Sequence, residues 1–449
     1  MSRSVSTVQI ARPAPRERFQ AYTQQHLSAL PQLAALSPEK RFEIEVVANV
    51  LPFRTNRYVA EQLIDWNRVP DDPIFRLVFP QREMLDPEDY AAMAGLLRKR
   101  SSRAEIAALA NSIRAKLNPH PADQEQLNTA KLDGRTLEGV QHKYDETVLF
   151  FPARGQVCHS YCTFCFRWAQ FIGDRSLKFA SSRPDLLARY LRGQPRVSDL
   201  LITGGDPMVM LAHHLESYIE PLITPELEQI QTIRIGTKSL TFWPQRYVSD
   251  PDASELLRVL ERWVRAGKHV AIMAHYNHWR ELETPIAREA IRRIRETGAV
   301  IRSQGPLLRH INDDGDVWGR LWQEQVRLGI VPYYMFVERD TGAREYFEVP
   351  LARGWEIYRH AMKQVSGLGR TARGPSMSTS PGKIEIQGVS EIGGEKVFVL
   401  RFIQGRRKDW VQRPFFARYD ERATWLDQLE PALGASEFFF EPEFRRMTS

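Results

Sequence analysis

Apolar residues recur at helical spacing through the first part of the chain and in short runs thereafter. Ser37-Pro38-Glu39 reads as a helix start, with serine as the cap and proline in the first turn; Phe42, Ile44, Val46, Val47 and Val50 supply its apolar side. Asp86-Pro87-Glu88 opens a second helix, whose apolar side is Tyr90, Met93, Leu96 and Leu97. Ala104 to Leu117 is a third, and Asn118-Pro119-His120-Pro121 breaks the pattern.

From about residue 145 short β-rich runs alternate with amphipathic helices. The strands expected are Thr147–Phe151, Leu200–Thr203, Thr232–Ile235, His269–Ala274, Val300–Ser303 and Pro332–Val337. Helices such as Arg183–Arg192, Ala253–Ala266, Pro285–Thr297 and Trp318–Leu328 separate them. Such alternation implies parallel strands with right-handed crossovers, and six units imply an α/β fold built on a partial (β/α)6 TIM-type barrel. Functional residues are then expected on the loops after the strands. The divisions expected are a flexible tail (1–16), an N-terminal helical domain (17–140), the barrel (141–340) and a C-terminal region (341–449) with strands at Lys383–Gly388 and Lys396–Phe402.

Composition changes this picture little. The 449 residues are 43% hydrophobic, enough for a large core, and the net charge of +7 is mild for the length. No block of Lys and Arg resembles a nucleic-acid arm; Arg98-Lys99-Arg100 is the basic end of a helix. No apolar run is long enough to span a membrane, and Met1 to Arg16 lacks the apolar core of a secretion signal. With only three cysteines, a reducing, cytoplasmic setting is expected.

All three cysteines fall in one short stretch, Cys158-His159-Ser160-Tyr161-Cys162-Thr163-Phe164-Cys165, after the first expected strand. Three thiolates on one loop can hold three irons of a cubane cluster and leave the fourth iron open to a chelating ligand. Zinc is the alternative, but it prefers four ligands in two pairs, and His159 is too close to Cys158 to complete one tetrahedron well. The spacing C-x3-C-x2-C, with Phe164 before the last cysteine, resembles the radical S-adenosylmethionine superfamily. That resemblance implies a [4Fe-4S] cluster whose open iron is chelated by S-adenosylmethionine. Gly204-Gly205-Asp206 follows the second strand, where glycines let a ligand ammonium approach backbone carbonyls and an acid suits a cation. It is similar to the superfamily's glycine-rich loop for the methionine amino group.

The resemblance narrows with Arg234-Ile235-Gly236, Pro244-Gln245-Arg246, His275-x-Asn277-His278 and Leu307-Leu308-Arg309-x-Ile311-Asn312-Asp313. Pro70-Asp71-Asp72-Pro73-Ile74, His142-Lys143-Tyr144 and Pro332-Tyr333-Tyr334 add to it. Together they resemble the lysine 2,3-aminomutase family over roughly residues 70–390. The resemblance implies pyridoxal 5'-phosphate as second cofactor, with Lys383 as its attachment point in a C-terminal extension. It also implies that Lys143 and Tyr144 contact the phosphate and that Arg167 clamps the substrate carboxylate. Thr237, Lys238, His275 and Gln304, at the ends of expected strands, are expected to face the cofactors. An ordinary structural role for His275 and His278 stays open, as does an exposed position for Lys383.

The chain departs from the family at several points. Lys143 stands where an arginine is usual, Thr147 where another is, and Ser378-Thr379-Ser380-Pro381 replaces a glycine-rich loop. Two aspartates that hold a lysine substrate's distant ammonium fall on Arg339 and Ser376. An arginine there repels an ammonium and attracts a carboxylate, so glutamate or aspartate is the expected substrate rather than lysine; pairing of Arg339 with Glu338 or Glu345 is the alternative. The resulting activity is a 2,3-aminomutase, an isomerase giving a β-amino acid. Other radical outcomes with the same cofactors (decarboxylation, epimerisation, cyclisation, action on a protein lysine) and a non-catalytic metal-cluster protein remain alternatives. An external electron donor such as a flavodoxin or ferredoxin, and a homo-oligomer, are the expected partners.

Overall fold

The computed structural model describes residues 18–118, 127–173 and 178–448, so the tail expected at 1–16 lies outside the described residues. The three expected N-terminal helices are present as Pro38–Ala48, Pro87–Arg98 and Arg103–Leu117. Each begins at a side-chain cap that satisfies an orphan backbone donor. Ser37 accepts from Lys40 N at 3.1 Å and Asp86 from Glu88 N at 2.8 Å, while Ser102 and Glu105 cap each other's backbone. The segment is not wholly helical: β1 (Ala21–Thr23) and β2 (Arg54–Asn56) form a small antiparallel ribbon.

A twelve-stranded sheet carries the rest of the described chain. It starts earlier than expected, because β3 (Thr129–Leu132) and β4 (Arg135–Tyr144) pair antiparallel ahead of β5 and β4 runs across the expected boundary at 140. Six strands then lie side by side, parallel and in chain order: β5 (Thr147–Phe150), β6 (Asp199–Ile202), β7 (Thr232–Thr237), β8 (His269–His275), β9 (Val300–Leu307) and β10 (Val331–Val337). These match the six expected strands within a few residues. Crossover helices connect them at Pro184–Arg192, Ala212–Ile219, Ala253–Arg265, Pro285–Glu296 and Gly315–Arg327. The last begins three residues before Trp318 because Asp314 caps it, accepting from Asp316 N at 2.9 Å. Both faces of the central strands are covered, so Ile233, Ile235, Val270, Ile272 and Ile301 are buried as near-continuous apolar runs.

Beyond the helix Leu351–Gln364, β11 (Arg373–Ser378) joins β10 in parallel, and β12 (Gly382–Ile392), β13 (Glu395–Gly405) and β14 (Pro414–Arg418) follow antiparallel. Side chains tie this end of the sheet to its beginning. Lys143 donates to the Thr379 carbonyl, Gln404 Nε2 to Glu146 Oε1 at 3.1 Å, and Arg406 Nη1 to the Leu127 carbonyl at 3.3 Å. No described helix is long and apolar enough to cross a membrane.

The N-terminal helices do not keep a core of their own. Ile44, Val47, Phe75 and Met93 share one apolar cluster with Phe164, Trp168, Phe242, Trp243, Leu308 and Phe347, all from segments that follow the parallel strands. A buried ion pair adds a polar tie. Asp72, fully buried, caps the helix Pro73–Val78 through Phe75 N at 2.8 Å and pairs with Arg280 from the segment after β8. Removing one partner leaves a buried charge alone. Asp72→Ala is therefore expected to destabilise the protein by about 3–5 kcal/mol, measured as a lower urea midpoint; an unchanged midpoint contradicts this account of the tie.

Candidate active site

The cysteine loop leaves β5 and is held by the N-terminal segment. Tyr161 N and Ser160 Oγ donate to the Arg54 carbonyl at 2.8 and 3.0 Å, and Thr163 N to the Leu77 carbonyl at 2.9 Å. Buried Asn56 reaches in through Nδ2, donating to His159 O at 3.2 Å and Phe242 O at 2.8 Å. Nothing local in the sequence marked Asn56, which lies far from its partners along the chain. Burial pushes all three thiols up, Cys165 to about 11. Cys165 and Cys162 add to the rise at Cys158, and Cys165 to that at Cys162. Among the described residues no three His, Cys, Asp or Glu side chains already stand together at metal-ligating distances. The donor set nevertheless fits the cluster: three thiols on one pinned loop and no fourth cysteine in the chain.

Gly205 is needed here for packing against the protein itself: a Cβ would lie 2.6 Å from Val157 N, whereas one on Gly204 would meet the movable end of the Gln156 side chain. Asp206 is likewise committed to protein donors: Thr237 Oγ1 at 2.6 Å, Met208 N at 2.9 Å and Lys238 N at 3.0 Å. It thereby knots together the segments after β6 and β7, and burial raises its carboxyl to about 6. Lys238 corrects its expected cofactor-facing role. Its ammonium is bonded to Glu281 Oε1 at 2.7 Å, Asn277 Oδ1 at 2.9 Å and His275 O at 3.3 Å, which accounts for its three protons. Glu281 was missed in the sequence, where a lone acid in the segment Trp279–Leu282 carries no signal.

Below this knot lies a cavity of about 340 Å³ lined by Arg167, Arg234, His275, Gln304, Arg339 and Lys383, with Phe151, Tyr334 and Phe336 as apolar wall. His275 is half-buried, with its Nδ1 buried and without a hydrogen-bond partner and its ring stacked on Phe164 at 5.7 Å. Burial, then Lys238, pushes its pKa well down, so it is a neutral imidazole. Arg167 lays its guanidinium 4.2 Å from the Phe151 ring centre. Arg234 forms a bidentate pair with Asp199, to which Thr147 also donates at 3.0 Å.

Lys383 is not an exposed lysine. It follows a tight turn in which Thr379 N and Oγ1 donate to the Gly382 carbonyl at 2.9 and 2.8 Å. A Cβ on Gly382 would strike Gln404 O at 2.4 Å, so only glycine lets this turn sit against β13. The Lys383 ammonium stands 4.1 Å from the Tyr334 ring centre and 5.3 Å from that of Phe336. Burial first, then Arg234 and Arg373, lowers its pKa to about 7, against a weaker pull from Asp199. Arg373, also absent from the expected site, sits 4.3 Å from the Tyr334 ring centre.

Other expected residues are distributed less simply. Arg339 reaches the cavity with only a 3.7 Å contact to Asp340, and its Nε has no hydrogen-bond partner. Glu338 beside it is buried, which raises its carboxyl well above the usual range. Lys143 and Tyr144 do not line the cavity; Lys143 touches the β11–β12 turn, and burial followed by Arg406, Arg339 and Lys383 pulls its pKa well down. Ser376 is corrected too. It is fully buried and bonded to Met335 O at 3.3 Å, and Ser378, two residues on along the same strand face, lines the cavity instead. A neutral amine among several cations fits an aldehyde cofactor that carries a phosphate.

No protein-family model matches the chain. It is 31% identical over 391 residues to "Putative L-lysine 2,3-aminomutase" of Aquifex aeolicus, covering 87% of this chain and 90% of that one. It is 29% identical over 249 residues to L-lysine 2,3-aminomutase of Fusobacterium nucleatum, covering 55% of each. With glutamate 2,3-aminomutase of Clostridioides difficile it shares 28% over 211 residues, 47% of each chain. These last two matches thus span about half of the relatives' length. Among solved structures, Streptococcus suis SuiB bound to S-adenosylmethionine gives a TM-score of 0.36 at 14% identity, covering 62% of this chain and 57% of that one, a likeness too slight to build on.

The lowered ammonium makes a direct prediction. Lys383 is expected to titrate near pH 7 and therefore to be neutral and nucleophilic above it, ahead of solvent-exposed lysines. Limited reductive methylation at pH 8 with peptide mapping checks this; modification of surface lysines before Lys383 contradicts it.

Proposed function

The chain belongs to the lysine 2,3-aminomutase family, and from that premise we propose that it moves the α-amino group of an acidic amino acid, glutamate or aspartate, to Cβ. It is an isomerase of the radical S-adenosylmethionine class acting on a small amino acid, with a [4Fe-4S] cluster, S-adenosylmethionine and pyridoxal 5'-phosphate as cofactors. When bound, these supply a carbon-centred radical and a π-system that carries the migrating nitrogen. In this reading the six parallel strands form a partial (β/α)6 barrel, and β11 to β14 are the extension that delivers Lys383.

The chain's own residues divide the work. Cys158, Cys162 and Cys165 hold three irons. His275 presents a neutral ring, and Gln304 an amide, to whatever lies in the cavity below. Lys383 presents an uncharged amine as the attachment point for the pyridoxal aldehyde. The Ser378 hydroxyl at the cavity, with Lys143 behind the β11–β12 turn, would take the phosphate, which would return charge to a lysine that burial has disfavoured. Arg167 orients the substrate α-carboxylate through its planar fork. Phe151, Tyr334 and Phe336 keep water from the reacting carbons.

The observation that carries the choice of substrate is Arg339, a cavity-lining guanidinium whose nearest carboxylate contact is a loose 3.7 Å. A side-chain carboxylate would complete it. Lysine has one point in its favour, since Glu338 and Asp340 line the same cavity. But burial disfavours the charged form of Glu338 and Asp340 already faces Arg339, so neither acid is well placed to draw an ammonium.

After anaerobic reconstitution, kcat/KM for glutamate or aspartate is expected to exceed that for lysine. Arg339→Asp should lower it about 100-fold, the scale of a lost buried charge pair. Brisk lysine turnover with no activity on either acid overturns the substrate. Chiral chromatography with fragment-ion mass spectrometry of the product checks the reaction, because decarboxylation lowers the mass, an epimer elutes with the opposite α-amino acid standard, and a β-amino acid gives its own fragments. Lys383→Ala should abolish the absorbance of the attached coenzyme; retention of that band removes Lys383 from its role.

A further inference from the structure

A second recess of about 850 Å³, open to solvent, shares no lining residue with the substrate cavity. Cys158 and His159 line it, whereas neither Cys162 nor Cys165 does. Its apolar centre holds two of the exposed large hydrophobic side chains, Phe19 at 38% and Leu211 at 49% of full exposure. The Phe19 ring meets His159 edge-on at 5.4 Å and Trp243 at 4.9 Å, so a contiguous set of rings runs from the recess to the residue next to Cys158.

The charge around this centre is one-sided. Of its two carboxylates, Asp252 is paired with Arg246 at 2.7 and 3.1 Å, and Asp250 accepts from Trp243 Nε1 at 3.0 Å. Arg18, Arg54 and Arg154 have no carboxylate partner among the described residues, and Arg54 Nε has no partner at all. Arg154 bonds His214 rather than an acid, and Arg54 lies 5.7 Å from the Phe19 ring centre. An exposed apolar centre rimmed by arginines without carboxylate partners is the surface expected for brief docking of an acidic protein, because rim charge speeds encounter and the small apolar contact permits release.

We propose that this recess docks a small acidic one-electron carrier protein over Cys158; the proposal rests on the reading of the cysteine loop as a cluster site. The carrier gives up one electron and the cluster gains it. No bond forms or breaks and no proton moves at this surface. Substrate and reductant then use recesses with no lining residue in common, so the radical chamber need not open for reduction.

The test uses full-length, iron-loaded protein under anaerobic conditions, titrated calorimetrically with a bacterial flavodoxin and with a plant-type ferredoxin. At least one is expected to bind, more weakly as salt rises. Arg18→Glu with Arg154→Glu should weaken it about tenfold or more. Arg18→Lys with Arg154→Lys should bind like wild type, and dithionite should reduce the cluster equally in all three proteins by electron paramagnetic resonance. The proposal is overturned if neither carrier binds wild type, or if the charge-reversed protein binds as tightly. If the wild-type protein takes up no iron, or dithionite fails to reduce its cluster, the cluster reading itself fails and the docking proposal falls with it.

Discussion

Buried positive charge without matching negative charge is the constraint on which the site depends. Lys383, Arg339 and Arg234 line one small cavity with Lys143 behind the β11–β12 turn, and only Arg234 has a well-formed carboxylate partner. Removing a cation from water costs several kcal/mol unless it is paired or gives up its proton. Lysine can do the latter and arginine cannot. The two lysines therefore tend toward neutrality, whereas Arg339 stays charged and lacks a close counter-ion. One electrostatic imbalance thus produces both a nucleophilic amine and a demand for anions.

The fold enforces that imbalance from two directions. From below, the turn before Lys383 is pressed against β13 by a glycine contact, and Lys143 and Arg406 bind the far end of the sheet to its start. Lys383 cannot swing out to water without breaking these contacts. From above, Asp206, Thr237, Lys238 and Glu281 knot the post-strand segments, and the N-terminal helices pack their apolar side onto the cysteine loop and its neighbours. The helical segment, which carries no chemistry of its own, is what makes the thiols buried and the loop rigid.

The parallel strands and their helices were legible because their rhythm is local: apolar runs bounded by breakers, and caps such as Ser37 and Asp86 within three residues of what they cap. The cysteine loop was legible because its three donors are adjacent in sequence. Lys383 and Arg167 came from resemblance, and the cavity contains both. What sequence could not convey were partnerships across long separations, such as Asn56 with His159 and Phe242, or Asp72 with Arg280. It also misjudged depth along a strand. Ser376 and Ser378 share a face, and only burial separates the one tied to Met335 from the one at the cavity. Lys238 has a residue type that suits a ligand, yet its ammonium is held by protein groups.

The central claim is that a trio of thiolates leaves one metal corner open above a dry cationic chamber. Mössbauer spectroscopy of the protein loaded anaerobically with 57Fe and sulfide, recorded before and after S-adenosylmethionine is added, tests it most directly. The account predicts a four-iron cluster in which a single iron changes its parameters on addition. Four irons that remain equivalent, or a protein that takes up only zinc, would contradict it.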